Sequence, residues 1–407
     1  MRTPKRLLLF STVVSAGSFL FSLSTSTSPV TRTEARADWL DEVYDRFDSL
    51  RTDRSDYSWP TDASATMSSG FAEFRGTHFH AGIDISTHGR KGYRVLASRS
   101  GYVSRILVSP YGYGKMLQVR HPDGFVTTYA HLRRFNDAID SSVKTLQARN
   151  ERYILDLSFD SEVFPVAKGE LIAYTGDTGT GPPHLHFEIR DERMNPVNPL
   201  LFPAFADAIT DSYAPAFHQI SFTPMEHRST VRGNAQPLIL ETGFRGGNRY
   251  GGASITHMSG LIGVSVKASD RVNSTSHRNV PYFLELYLDS IALFSSRLHR
   301  FPAGESEQIA LHFDWPMIHS GEGRFQKLYV EAGNRLPLYE RQPEGGGILR
   351  TDNWKEGQHE IMIVAKDIIG NTSMARAIVI FDEPPAFSIR RLDTKLVLAP
   401  SDRSDLR

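Results

Sequence analysis

Residues 175–188 read Thr-Gly-Asp-Thr-Gly-Thr-Gly-Pro-Pro-His-Leu-His-Phe-Glu. A loop rich in glycine and proline gives way at His184 to alternating polar and apolar residues, the pattern of a half-buried strand. Side chains on a strand alternate with period two, so His184, His186 and Glu188 share one face. Leu185 and Phe187 then point into a core. Two imidazoles on one face of a sheet are the feature from which the rest is read.

Upstream, Phe79-His80-Ala81-Gly82-Ile83-Asp84 sets a histidine and an aspartate four residues apart at the entry to a strand beginning at Ile83. Gly82 is expected to let the backbone turn so that both side chains converge. Together the two stretches offer imidazoles and a carboxylate on neighbouring strands. Two histidines and one carboxylate are the protein ligands of a catalytic zinc whose fourth position is open, an ion that activates water and polarises a carbonyl. A third stretch, Tyr129-Ala130-His131-Leu132, ends a predicted hairpin, with Tyr129 and His131 expected on one face. Seven of the 15 histidines fall between residues 78 and 186. His78 makes a further His-x-His pair with His80, while His88 and His121 fall in predicted turns. The eight histidines beyond residue 211 have no metal spacing.

Around these stretches, residues 57–206 carry short β-branched and aromatic runs broken by glycine: 94–97, 102–108, 116–120, 125–129, 171–174 and 185–189. Such spacing predicts an antiparallel sheet. His121-Pro122-Asp123-Gly124 is a tight-turn signal that pairs 116–120 with 125–130. One helix is expected over 137–149, with Ile139, Val143 and Leu146 on one face and Asn136 as its cap. From 211 to 385 longer alternating runs, including 261–268, 282–288, 291–295, 326–330, 360–366 and 375–381, predict a β-sandwich. Asp367-Ile368-Ile369-Gly370-Asn371 resembles the hairpin turn of bacterial immunoglobulin-like modules. Residues 386–407 read as a strand and a polar end.

The amino terminus puts three positive charges, in MRTPKR, before an apolar run from Leu7, which reads as an export signal over 1–37 ending at the small-x-small triplet Ala35-Arg36-Ala37. Retained, the same run would serve as an anchor. Residues 38–56, with seven acids and three arginines, read as a linker or short helix. Over the 407 residues 46 Lys and Arg balance 46 Asp and Glu, so no polycationic field exists to hold nucleic acid. The absence of cysteine removes disulfides, thiol catalysis and thiolate metal ligands. Any metal must be held by His, Asp or Glu.

Three stretches in this order, His-Ala-Gly-Ile-Asp at 80–84, Tyr-Ala-His-Leu at 129–132 and Thr-Gly-Thr-Gly-Pro-Pro-His-Leu-His-Phe-Glu at 178–188, resemble the lysostaphin/LytM-type zinc metallopeptidases, a family of peptidoglycan endopeptidases. The resemblance covers residues 68–202, with further matches at 101–103, 111–114 and 198–199. It implies an antiparallel-sheet metallopeptidase domain, which, with the helix over 137–149 as an insertion and the sandwich that follows, makes a mainly β chain. It implies Zn2+ held by His80, Asp84 and His186, with His131 and His184 as catalytic residues that do not bind the metal. The implied substrate is a peptidoglycan peptide, met in the periplasm or cell envelope, with the C-terminal region as a platform for an envelope partner. Relatives that have lost zinc ligands instead activate wall amidases, and a secreted protease would use the same site. Glu188 is expected to orient an imidazole, Tyr129 to brace His131 or donate to an oxyanion, and Arg75 to sit exposed or face the groove. Two departures stand out: an insertion between His131 and Gly169, expected to wall the cleft or dock the C-terminal region, and the doubled proline at 182–183.

Overall fold

The structure is a computed structural model that describes residues 56–179, 181–252, 255–272, 276–341, 346–383, 387–392 and 395–400. The expected export signal and all but the last residue of the linker lie outside the described residues. In the N-terminal half the strands are β1 (Met67–Ser69), β2 (Ile83–Ser86), β3 (Arg94–Leu96), β4 (Gly101–Val108), β5 (Lys115–Arg120), β6 (Val126–Ala130) and β7 (Leu132–Phe135). Helix α1 (Asp137–Asn150) follows, then β8 (Leu155–Ser158), β9 (Pro165–Val166), β10 (Leu171–Thr175), β11 (His184–Arg190) and β12 (Pro196–Val197). The main sheet runs β1-β2-β11-β6-β5-β4-β8, with β12 on β11 and β9 on β4, and a smaller sheet runs β3-β10-β7. The fold is mainly β and these sheets are antiparallel.

Strand β11 sits between β2 and β6, and Leu185, Phe187 and Ile189 are fully buried on its core face. The β5–β6 hairpin closes as its turn residues predict: His121 N donates to the Phe125 carbonyl, and Gly124 takes the positive φ of 85° that the turn requires. Helix α1 also follows its sequence pattern. Asn136 Oδ1 accepts from Ile139 N at 3.0 Å, and Ile139 and Val143 are buried. The strands of the same insertion pair with β4 at the far edge of the main sheet, three strands from β11. They extend the sheet at that edge.

Two sheets pack face to face in the C-terminal half. One is built on Ala216–Pro224 and Leu261–Ser269, the other on Thr372–Phe381, Gly357–Lys366 and Phe283–Leu288. Their inner faces share one core, in which Phe217, Phe222 and Val264 meet Leu286, Ile363 and Ala377. Thr372–Phe381 alternates buried and half-buried residues along its whole length, as a strand with one face in a core must. The turn before it is held by Asp367, whose Oδ1 accepts from the backbone N–H groups of Ile369, Gly370 and Asn371. Two expectations are corrected. The run 326–330 contributes only the two-residue strand Gln326–Lys327: Leu328 N still donates to the Val264 carbonyl, but Val330 N turns to the Gly346 carbonyl instead. The expected single strand in the tail is a hairpin of Phe387–Leu392 with Lys395–Pro400.

The halves meet along residues 70–80 and 195–201. Phe301 packs against Phe71 and Phe79 with ring centroids 5.3 and 5.1 Å apart, and Phe313 packs edge-on to Phe74 at 5.5 Å. Phe79 N donates to Ser306 Oγ at 3.1 Å, and Asn198 N to the His299 carbonyl at 2.8 Å. Docking thus falls on these segments and not on the insertion.

Candidate metal centre

Register brings the three stretches together. His186 on β11 pairs with Asp84 on β2 and with Ala130 on β6, one residue before His131. Gly82 has no positive φ, so its expected turning role is corrected: a Cβ there would lie 2.1 Å from the Phe187 carbonyl oxygen. Its missing side chain lets the chain entering β2 approach β11.

His80 Nε2, Asp84 Oδ1 and His186 Nδ1 form a near-equilateral triangle with sides of 3.1, 3.0 and 2.9 Å. The outer nitrogens are committed elsewhere. His80 Nδ1 donates to the Gly70 carbonyl at 2.6 Å, and His186 Nε2 to Glu188 Oε1 at 2.9 Å. In the neutral imidazoles that leaves a lone pair at both inner nitrogens, facing a carboxylate oxygen. Three acceptors so arranged suit a cation. Tetrahedral bonds of about 2.0–2.1 Å set ligand atoms about 3.3 Å apart, close to the spacing found. All three residues are buried, and they form a group that can hold a metal ion.

Charge is arranged to match. Burial opposes ionisation of Asp84, but His80 and His186 hold it well below the usual carboxylate range. Burial likewise opposes Glu188, and Arg190 and His186 outweigh it. Burial alone would depress His186; Asp84 and Glu188 push it up to about 9 instead. A proton and a metal ion compete for the same lone pair. Behind the triangle Glu188 accepts from Tyr113 Oη at 2.6 Å and Arg190 Nε at 2.6 Å. On the other side Arg75 Nη2 donates to Asp84 Oδ2 at 2.8 Å and to Ser69.

His131 and His184 stand beside the triangle with ring centroids 4.6 Å apart. Each anchors Nδ1 on a backbone carbonyl, His131 on Thr178 at 2.9 Å and His184 on Pro182 at 2.7 Å. Each neutral ring therefore keeps a lone pair at Nε2. His184 Nε2 lies 3.6 Å from Asp84 Oδ1. Burial and the neighbouring imidazoles of His186 and His184 bring His131 down to about 4.

Several expectations change here. Tyr129 and His131 do not share a face, because His131 takes a left-handed conformation (φ 58°) that breaks the strand alternation. Tyr129 is fully buried, stacks edge-on against Phe187, and its hydroxyl accepts from Ser98 N and Thr127 Oγ1. It can neither brace His131 nor reach an oxyanion. His78 is exposed, with its ring Nδ1 3.4 Å from Thr77 Oγ1. Glu188 does hold an imidazole, and Arg75 grips Asp84. Arg190 was not singled out in the sequence, and Tyr113 figured only within the 111–114 match, without a role. Arg190 was legible, lying two residues beyond Glu188 on the same strand face, whereas Tyr113 reaches Glu188 from a loop whose path no local pattern sets.

The fold and this group of side chains give an antiparallel β-sheet domain carrying a buried His–Asp–His group that can hold a metal ion. Comparison with known proteins agrees: residues 78–148 match Peptidase family M23, and the N-terminal half carries an M23 peptidase domain of the LytM type. The murein hydrolase activator NlpD of Salmonella typhimurium is 32% identical over 148 residues, 36% of this chain and 31% of that protein. The DD-carboxypeptidase/endopeptidase Mpg of Neisseria meningitidis serogroup B is 31% identical over 140 residues, 34% of this chain and 26% of that one. The chain thus spans about a third of the length of the curated relatives it matches. Among solved structures, a zinc containing peptidase from Vibrio cholerae is similar over 35% of this chain and 38% of its own, at 24% identity and a TM-score of 0.25.

Proposed function

We propose that the chain is an exported zinc endopeptidase that hydrolyses peptide bonds in peptidoglycan cross-links or stem peptides, with His80, Asp84 and His186 as the metal ligands. The observation that carries the reading is the triangle of inward lone pairs beside two further imidazoles, each anchored through Nδ1 on a backbone carbonyl. A zinc ion held there supplies Lewis acidity to water and to an amide carbonyl. His131 and His184 divide the remaining work. One accepts a proton from the attacking water at Nε2 and returns it to the amine nitrogen as the C–N bond breaks, and the other, protonated, donates a hydrogen bond to the oxygen of the tetrahedral adduct. Glu188 and Arg190 fix the orientation of His186, and Arg75 fixes Asp84.

Residues 57–206 are the catalytic domain in this reading, and 211–385 the sandwich that supports it and offers a surface to an envelope partner. The amino-terminal sequence directs the protein to the periplasm or cell envelope. Among the described residues no helix is long and apolar enough to cross a membrane.

The similarity to a murein hydrolase activator supports a second reading, a non-catalytic activator of wall amidases. The presence of all five site residues weighs against it. Digestion of purified peptidoglycan, with products identified by mass spectrometry, tests both. New amino termini from the wild type, absent with His80→Ala, Asp84→Ala or His186→Ala and retained with His78→Ala, are the expected result. Cleavage of a protein panel but not of peptidoglycan would replace the substrate. Stimulation of an amidase with no cleavage by the chain itself would establish the activator.

A further inference from the structure

A second group of side chains that could hold a metal ion lies outside the His80–Asp84–His186 site. Asp211 follows the short helix Pro203–Ala206, Asp270 stands one residue past the strand Leu261–Ser269, and Asp367 opens the turn to Thr372–Phe381. One carboxylate oxygen from each lies within 4.8 Å of the others. Asp270 and Asp367 are buried, at 8% and 1% exposure, and Asp211 is partly exposed. Among the described residues no cationic side chain forms an ion pair with any of the three.

An acidic cluster alone would not define a site. Asn279, directly opposite Asp270 in an antiparallel bridge, is 7% exposed, and its side-chain Oδ1 has no hydrogen-bond partner. Oδ1 of Asp270 has none either. All four side chains line one cavity of about 40 Å³, room for an ion and a bound water. A buried amide oxygen without a donor is costly unless something positive faces it.

We infer that this cavity is a calcium site, with Asp211, Asp270 and Asp367 and the Asn279 carbonyl oxygen as ligands. Only oxygen is offered, which selects a hard cation, and carboxylates mixed with an amide carbonyl in an irregular pocket suit calcium better than the strict octahedron of magnesium. Asp367 is already set in place, with Oδ1 on three backbone N–H groups and Oδ2 accepting from Asn371 Nδ2 at 2.6 Å. Burial and the neighbouring carboxylates push Asp270 up to about 8, a repulsion that a divalent ion relieves.

The ion would work at the junction between the halves. Met67, Gly70, Phe71, Asn198 and Leu200 supply the facing wall. Gly70 is also the residue whose carbonyl accepts from His80 Nδ1. Calcium would thereby fix the segment that orients the first zinc ligand, from a distance and without entering the chemistry.

The test uses the full chain, stripped of metals on a chelating resin and reloaded with one equivalent of zinc. Calorimetric titration with calcium chloride should give one calcium per chain, and the thermal midpoint should rise by several degrees at saturation. Asp270→Asn should bind calcium at least about tenfold more weakly. In calcium-free buffer this variant should be no less stable than the wild type, because it removes a buried carboxylate, and this separates lost binding from failed folding. Calcium binding should persist in His80→Ala, whatever becomes of zinc. Absence of calcium binding by the wild type, or unchanged binding by Asp270→Asn, would overturn the inference; an equal response to magnesium would overturn the choice of ion.

Discussion

Arg75 Nη2 meets Asp84 Oδ2 at 2.8 Å, on the oxygen that does not face the two imidazoles. The guanidinium neutralises and aims the carboxylate, leaving Oδ1 for the triangle. Partners of this kind are worth about 10–100-fold in metal affinity. Arg75→Gln should therefore bind zinc about that much more weakly in competition with a chromogenic chelator, while its circular dichroism spectrum stays that of the wild type. Unchanged affinity would make Arg75 a surface residue.

His131→Ala and His184→Ala should each retain one zinc per chain. Turnover of a cross-linked peptide should fall by about two to four powers of ten, the scale of a lost acid–base or oxyanion group. Wild-type rates in both variants would reduce these histidines to bystanders.

Phe301 is 1% exposed and packs between Phe71 and Phe79. Phe301→Ala should cost about 3–5 kcal/mol in urea unfolding. Because the cavity opens beside the His80 segment, zinc affinity should fall along with stability. A loss of stability with metal binding intact would show that the two halves are energetically independent.

His312 stays neutral in the fold, brought down to about 3 by burial and then by Lys327. Unfolded, it takes up a proton near pH 6.5. The unfolded state then binds more protons between about pH 6.5 and 3, so this residue's contribution is complete above that window and is lost as the pH falls through it. At pH 5 the loss amounts to about 2 kcal/mol. Urea midpoints measured from pH 7 to pH 5 should fall less steeply in His312→Gln than in the wild type; parallel curves would show that His312 is protonated in the fold.

Much of this architecture follows from period and punctuation. His184, His186 and Glu188 were legible as one strand face, and Asn136 as a cap, because each depends on neighbours a few residues away. The rule failed at His131, where one residue with positive φ inverts the parity that placed Tyr129 beside it. Gly82 was found for the wrong reason, since its need for a bare Cα arises from Phe187, 105 positions later in the chain. Tyr113, Arg75 and the Asp211–Asp270–Asp367 group are brought to their partners by long-range folding, which no local pattern encodes.

Phe79 stands one residue before His80, with its ring on Phe301 and its N–H on Ser306. That adjacency bears on how such chains can be recombined. A catalytic half anchored in this way is no interchangeable cassette: a graft carrying residues 57–206 onto a foreign sandwich would present Phe71, Phe74 and Phe79 to water and leave His80 on an unsupported loop. Exchange would succeed only if the recipient brought its own aromatic counterparts of Phe301 and Phe313, so the lineage of the two halves should be shared across the junction even where their surfaces have drifted apart.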